Sequence, residues 1–406
     1  MSIKVNPITF DEFEQRQAEF EVANFMQTSA FAKMQHGMGA YLGIEAIEFE
    51  ESNKFLGQTI VAYRRHMKFF KKACIYQGPL IDYKDTEKVK EIITALESYI
   101  QKKAQILEIH SSLENLIYDD NLEVIDKKNE DTIEAICALG YSRKVDRSGS
   151  ESIDQIFIKP LDNYSSTEEI FKSFSGSLRG SIKKASDSHV KVRELDSDKM
   201  TDFYNIFDST AQRKSFYAHP IEYFLAMKAN FGEKAKFLEA YLDCREYKKY
   251  IDDNIALFTE KIENLSNQPQ TRKRKGQIAD ADDQLQSYIK RKKEFEALNI
   301  TGDTLSLSSY VFMCYGKEVT FLFGGSYREY MHFGGAAMLN WEMIKYAFTN
   351  GYPLYNFYGT IETERAKNAS GNYNFKKNFG GNLVLLAGTF TKVLSPIVKM
   401  VQIFRR

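Results

Sequence analysis

The segment Ser370-Gly-Asn-Tyr-Asn-Phe-Lys-Lys-Asn-Phe-Gly-Gly381 sets two adjacent lysines between aromatic residues and closes on a glycine pair. Fixed cations among buried aromatics suit a rigid site where charge develops on a reacting oxygen, so Phe375 and Lys376 lead the candidates for chemistry. Lys33 comes next, one turn into a helix that opens on Gln27-Thr28-Ser29, with Phe31 just before it. A cation that near a helix start opposes the dipole unless an anion is also present; a phosphate ligand and a solvated lysine are both open readings. Arg213 and Tyr217 fall four apart at the end of an apolar helix. If the helix continues they share a face, where an arginine fork can grip phosphate. Gly324-Gly325-Ser326 and Gly334-Gly335 match neither a P-loop nor a dinucleotide fingerprint. The histidines at 36, 66, 110, 189, 219 and 332 show no ligand spacing, cysteines 74, 137, 244 and 314 lack a close CxxC, and no GxSxG elbow occurs. Neither metal nor serine-triad chemistry is expected.

The elements that must carry these residues alternate between helix and strand. Residues 4–13 read as strand, capping Thr9 and helix; 86–102 have helical spacing; 74–81 and 105–109 read as short buried strands. The order helix, Leu-Gly-Tyr, strand over 132–145 returns as helix, Asn-Gly-Tyr, strand over 338–358. An opening of strand, cap (Asp196 or Ser197) and helix returns over 190–207. The expected fold is mixed α/β (α+β), a duplicated unit with helices packed on a largely antiparallel sheet.

Between 245 and 299 the composition turns to charge and helix formers. Tyr247, Ile251, Ile255, Phe258, Ile262 and Leu265 form an a/d seam, which Ile278, Ala281, Leu285, Tyr288, Lys292 and Phe295 resume after a break at 268–276. Two antiparallel helices follow, an arm roughly 33 Å long. Arg272, Lys273, Arg274 and Lys275 make its tip basic, either as a solvated turn or as a phosphate-binding cluster. The expected divisions are residues 1–150, then 151–392 interrupted by the arm, then a basic amphipathic tail over 393–406. That tail either packs on the first domain or lies in a lipid headgroup region.

Lys plus Arg and Asp plus Glu number 55 each, so no overall field draws nucleic acid and any polyanion site is local. An apolar content of 43% excludes a disordered chain. The start MSIKVNPITFDEF has no signal-peptide core, and no run of about 18 apolar residues occurs. A soluble, cytoplasmic protein in a reducing compartment is expected.

Seven strings, FMQTSAFAK, YQGPLIDY, SLRGSIKKA, FDSTAQRKSFY, FLFGGS, NGYPLYNFYG and YNFKKNFGG, resemble in order and spacing the FemABX family of peptidoglycan interpeptide-bridge aminoacyltransferases, in its branch with an inserted helical arm. The resemblance covers nearly the whole chain. It implies two tandem GNAT-like domains and transfer of an amino acid from aminoacyl-tRNA, the co-substrate, to the stem peptide of a precursor. That acceptor is lipid II or a UDP-MurNAc-peptide, usually modified at the side-chain amine of its third residue, and no cofactor is implied. By the same resemblance Lys33 and Arg213 contact precursor phosphates, Phe31 and Tyr217 sit beside them, and Phe375 and Lys376 form the family's Phe-Lys pair. The arm tip, Arg272 to Lys275, implies tRNA contact, and the lipid-linked acceptor implies peripheral contact with the inner membrane face. Two departures stand out. His110-Ser111 replaces an Asp-Pro common in relatives, leaving His110 as the candidate base, and Phe31 replaces a frequent Trp. The competing readings are a CoA-dependent N-acyltransferase of a small amine and a non-enzymatic tRNA-binding adaptor.

Overall fold

The computed structural model describes residues 2–17, 20, 24–67, 69–147, 152–269, 271–360 and 371–403. The first half runs β1 (Lys4–Ile8), α1 (Phe10–Arg16), α2 (Ser29–Gly37), β2 (Gly43–Glu51), β3 (Lys54–His66), β4 (Phe70–Tyr76), β5 (Leu80–Ile81), α3 (Thr86–Ile100) and β6 (Ile106–His110). Short elements follow: β7 (Glu114–Tyr118), β8 (Val124–Lys127), α4 (Glu130–Ala138) and β9 (Ser142–Lys144). The second half opens with β10 (Gln155–Pro160), α5 (Thr167–Lys172), α6 (Gly176–Asp187), β11 (Val190–Glu194), α7 (Met200–Lys214), α8 (Ile221–Phe231) and β12 (Ala235–Asp243). The arm is α9 (Cys244–Ser266) and α10 (Arg272–Ala297). The chain then returns through β13 (Thr304–Tyr315), β14 (Glu318–Ser326), α11 (Gly335–Thr349), β15 (Leu354–Gly359), α12 (Gly371–Lys377), β16 (Asn382–Leu386), β17 (Thr389–Val393) and α13 (Pro396–Ile403).

Two sheets result, ordered β1-β2-β3-β4-β6-β17-β9, with β5 on β3, and β11-β12-β13-β14-β15-β10-β16-β7-β8. All pairings are antiparallel except β4 with β6 and β14 with β15. The duplication is visible in the topology: β1-α1-α2-β2-β3-β4-α3-β6 matches β11-α7-α8-β12-β13-β14-α11-β15. The counterpart of α11 and β15 is thus α3 and β6. The sequence match to 132–145 was misplaced, because α4 and β9 finish the edge of the first sheet. Strands also cross the expected divisions at 150 and 392. β7 and β8 extend the second sheet, and β17 lies between β6 and β9 in the first. A cut at either position would remove strands from a sheet and expose its ladder.

Local chemistry starts the helices that matter. Thr9 and Glu12 close a capping box at α1, and the Thr28 hydroxyl accepts from the Phe31 amide at α2. Asp196 and Ser197 do not cap α7; they begin a 3-10 turn over Ser197–Lys199 that leads into it. The arm seam forms as its spacing requires: Tyr247 packs edge-on to Phe295 at 5.1 Å, Phe258 stacks on Tyr288 at 5.8 Å, and Lys292 pairs with Asp252 at 2.7 Å. α10 begins earlier than the break at 268–276 suggests. Thr271 caps it and Gly276 lies inside it, so the basic tip is the helix's first turn. In the tail, Leu394 and Val398 pack inward and Ile397 is 61% exposed; Phe404, Arg405 and Arg406 lie outside the described residues.

Candidate active site

The two parallel strand pairs differ, and the difference locates the site. β4 and β6 stay paired from Lys72–Ile106 through Tyr76–His110, and the Gln77 amide extends the ladder to the His110 carbonyl at 2.7 Å. β14 and β15 pair only over Glu318–Thr320 against Leu354–Asn356, then separate. Tyr358, at φ 59°, turns the β15 backbone away from its neighbour. The resulting wedge is a cleft of about 570 Å³, walled by the ends of β14, β15 and α7, the start of α11, and α12.

Lys376 projects into this wedge from α12 and is 2% exposed. Its ammonium donates to the carbonyls of Tyr358, at 3.3 Å, and Gly359. Among the described residues no carboxylate pairs with it. Burial first, then the charge of Lys214, lowers its pKa to about 7. An ammonium carries three donors, so the carbonyl pair leaves one free for a ligand. Phe375 lines the cleft and packs edge-on to Phe379 at 5.3 Å, and Phe379 in turn meets Phe174 and Phe357. This aromatic layer fixes α12 from behind.

The turn after α12 is held by a residue that sequence reasoning missed. Lys159, 1% exposed on β10, donates to Ser173 at 2.9 Å, to Tyr164 at 3.1 Å and to the Gly380 carbonyl at 3.4 Å. Gly380 has φ 69°, and a Cβ on Gly381 would stand 2.2 Å from the Ile158 carbonyl oxygen, so both glycines are required. Gly324 and Gly325 answer to packing as well. A Cβ there would meet the Tyr310 ring at 2.0 Å and the Ile206 carbonyl at 2.4 Å, which is why β14 can lie so close under α7.

Arg213 reaches the cleft rim from the end of α7 and donates to the Ser326 carbonyl at 3.2 Å. Tyr217 does not share its helical face. α7 stops at Lys214, Ser215 takes a left-handed turn, and Tyr217 is 79% exposed outside the cleft. Lys214 and Phe216 line the wall instead, neither of them expected. Lys33 stands on the exposed side of α2, 3.8 Å from Asp11, and is not part of the cleft lining. Phe31 is 8% exposed and packs in the core that joins α2 to α7 and α8, a structural role consistent with an aromatic there.

His110 is not brought to Lys376. It lies on β6, stacked on Tyr76 at 4.8 Å, with Nε2 2.9 Å from Glu108 and Nδ1 3.1 Å from the Thr389 hydroxyl. Burial would raise the Glu108 carboxyl, but hydrogen bonds from His110 and Lys72 hold it at about 2. The tip residues Arg272, Lys273 and Lys275 are exposed, and the first turn of α10 contains no acid.

Two copies of one αβ unit make up the chain, and only the second has its parallel strands splayed around a buried lysine. The chain belongs to the FemAB family, whose model matches residues 7–406. It is 24% identical over 404 residues to an aminoacyltransferase FemA of Staphylococcus aureus (strain MRSA252), covering 97% of this chain and 96% of that one. A FemA of Staphylococcus epidermidis is 24% identical over 417 residues, covering 99% and 98%. The crystal structure of FemX superposes with a TM-score of 0.77 at 20% identity, over 98% of this chain and 99% of that chain.

Proposed function

We propose that this FemAB-family chain is an aminoacyltransferase that moves an amino acid from aminoacyl-tRNA to the stem peptide of a peptidoglycan precursor, either lipid II or a UDP-MurNAc-peptide, to build the interpeptide bridge. The observation that carries the reading is Lys376, a buried ammonium without a carboxylate partner among the described residues, at the one splayed strand pair. An aminoacyl ester is already activated. Its aminolysis needs alignment, loss of a proton from the amine, and a donor for the tetrahedral oxyanion. The free N–H of Lys376 supplies that donor, and Phe375 sets its position.

Arg213 and Lys33 take the precursor's phosphates in this reading, with Tyr217 exposed nearby in sequence for contact with the same ligand; α2 and α7 are joined through α8. Replacing Arg213 by alanine should weaken acceptor binding by about 1.5–3 kcal/mol, the range for charge-assisted hydrogen bonds. Calorimetric titration with the UDP-linked precursor measures this. Unchanged affinity in a folded variant would remove Arg213 from the phosphate site.

The lipid-linked acceptor gives α13 a role at the inner membrane face. Among the described residues no helix is long and apolar enough to cross a membrane, but Ile397 and Lys399 project outward beside buried Val398. The intact chain should float with anionic vesicles, and Ile397→Glu should abolish this without altering the melting temperature. Failure of the intact chain to float would end the membrane reading.

A further inference from the structure

Residues 64–72 hold five Lys or Arg, residues 101–107 two and residues 392–406 four, and none of these stretches contains an Asp or Glu. In a chain of zero formal charge that is a local excess. The fold gathers all three at one end of the first sheet, where β3 ends, β4 and β6 begin, and β17 ends. Gln105 ties them together. Its backbone amide donates to the Lys71 carbonyl at 3.0 Å, its side-chain carbonyl accepts from the Lys71 amide at 2.9 Å, and its backbone carbonyl accepts from the Leu394 amide at 2.8 Å, just before α13. At their other end β6 leads to β7, and β17 is entered from β16, both strands of the second sheet. The cationic end therefore points away from that sheet.

Part of this charge is compensated within the fold. Lys72, Lys103 and Lys392 pair with Glu108, Glu45 and Glu97. Arg64, Arg65, Lys71, Lys102 and Lys399 are exposed and, among the described residues, pair with no carboxylate. Apolar side chains stand among them. Phe69, in the turn between β3 and β4, is 82% exposed; Leu42, whose amide donates to the Tyr63 carbonyl at 2.8 Å, is 52% exposed; exposed Ile397 on α13 is the third. A nucleic acid would use the cations and leave these three side chains in water. An anionic bilayer uses both, since its phosphates attract the cations and its headgroup region takes up apolar tips.

We propose that this whole end of the first sheet, and not α13 alone, is a docking surface for an anionic lipid bilayer, with the Phe69 turn as a second anchor beside Ile397. The proposal rests on the membrane contact given to α13 above and adds to it a fixed orientation, because two anchors on one sheet end leave the second sheet on the far side from the lipid. Its test is co-flotation of the full chain with vesicles of phosphatidylglycerol and phosphatidylcholine, and with phosphatidylcholine alone. Wild type should float with the mixed vesicles only. Phe69→Glu, and separately Arg65→Glu with Lys71→Glu, should lower the bound fraction at least about tenfold and melt like wild type, because these side chains are exposed. Leu257→Glu, at a comparably exposed apolar position on the arm, should float like wild type. Flotation that survives both sheet-end changes would overturn the proposal and leave the contact of α13 standing, whereas a wild type that does not float would overturn both. Flotation unchanged by Arg65→Glu with Lys71→Glu, together with weakened tRNA binding, would make the surface an RNA site and overturn the proposal as well. Transfer to the UDP-linked acceptor, which needs no membrane, should be unchanged in Phe69→Glu; a loss there would assign Phe69 to the reaction and contradict the docking role.

Discussion

Replacing Lys376 by methionine should lower aminoacyl transfer by about two to three orders of magnitude, the cost of removing one oxyanion donor, and leave the protein folded. Lys377 is the control. It sits next along α12 but donates outward to the Asp120 carbonyl, so Lys377→Met should transfer at close to the wild-type rate. Stability adds a readout independent of substrate. Burial, reinforced by Lys214, holds Lys376 at about 7 against an ordinary value of 10.5. The unfolded chain keeps that proton over the whole interval, whereas the folded chain has released it. The penalty is therefore full below about pH 7 and is relieved as pH rises from about 7 to 10.5. Wild type should gain on the order of 5 kcal/mol from this group across that window, and methionine should remove the gain. Urea unfolding of both proteins at the two ends of the window measures it; parallel stability profiles would show that burial does not lower the Lys376 pKa.

Reversing the arm tip, with glutamate at 272, 273, 274 and 275, should weaken tRNA binding more than any other surface change. Each lost phosphate contact flattens the salt dependence by roughly 0.7–0.9 in the log-log slope, so four contacts amount to about 3. Misfolding cannot mimic this result. The four cations occupy the first turn of α10, where they oppose the helix dipole and glutamates would favour it. The reversed arm should melt no lower than wild type. Fluorescence anisotropy with labelled tRNA at several salt concentrations gives the slope, and an unchanged slope would leave the tip as a solvated helix end.

Features set by local spacing were legible in the sequence, and features set by distant contacts were not. The arm was readable because a helical hairpin makes its own seam, as Tyr247 with Phe295 and Phe258 with Tyr288 show. Lys376 was readable because glycines and asparagines bracket it within a dozen residues. The strand exchange was hidden: β7, β8 and β17 have four or five residues each, and such lengths do not declare which sheet they join. Tyr217 was misplaced because Ser215, not a glycine or proline, ends α7 in the left-handed conformation.

The central claim is that an aminoacyl group passes from tRNA to a precursor amine at Lys376. Mass spectrometry of the precursor after incubation with the protein, a mixture of charged tRNAs and lipid II or UDP-MurNAc-pentapeptide tests it most directly. The predicted result is a precursor heavier by one aminoacyl residue, formed only when charged tRNA is present and lost in Lys376→Met. An unchanged precursor with either acceptor, or an acyl group gained from acetyl-CoA without tRNA, would contradict it.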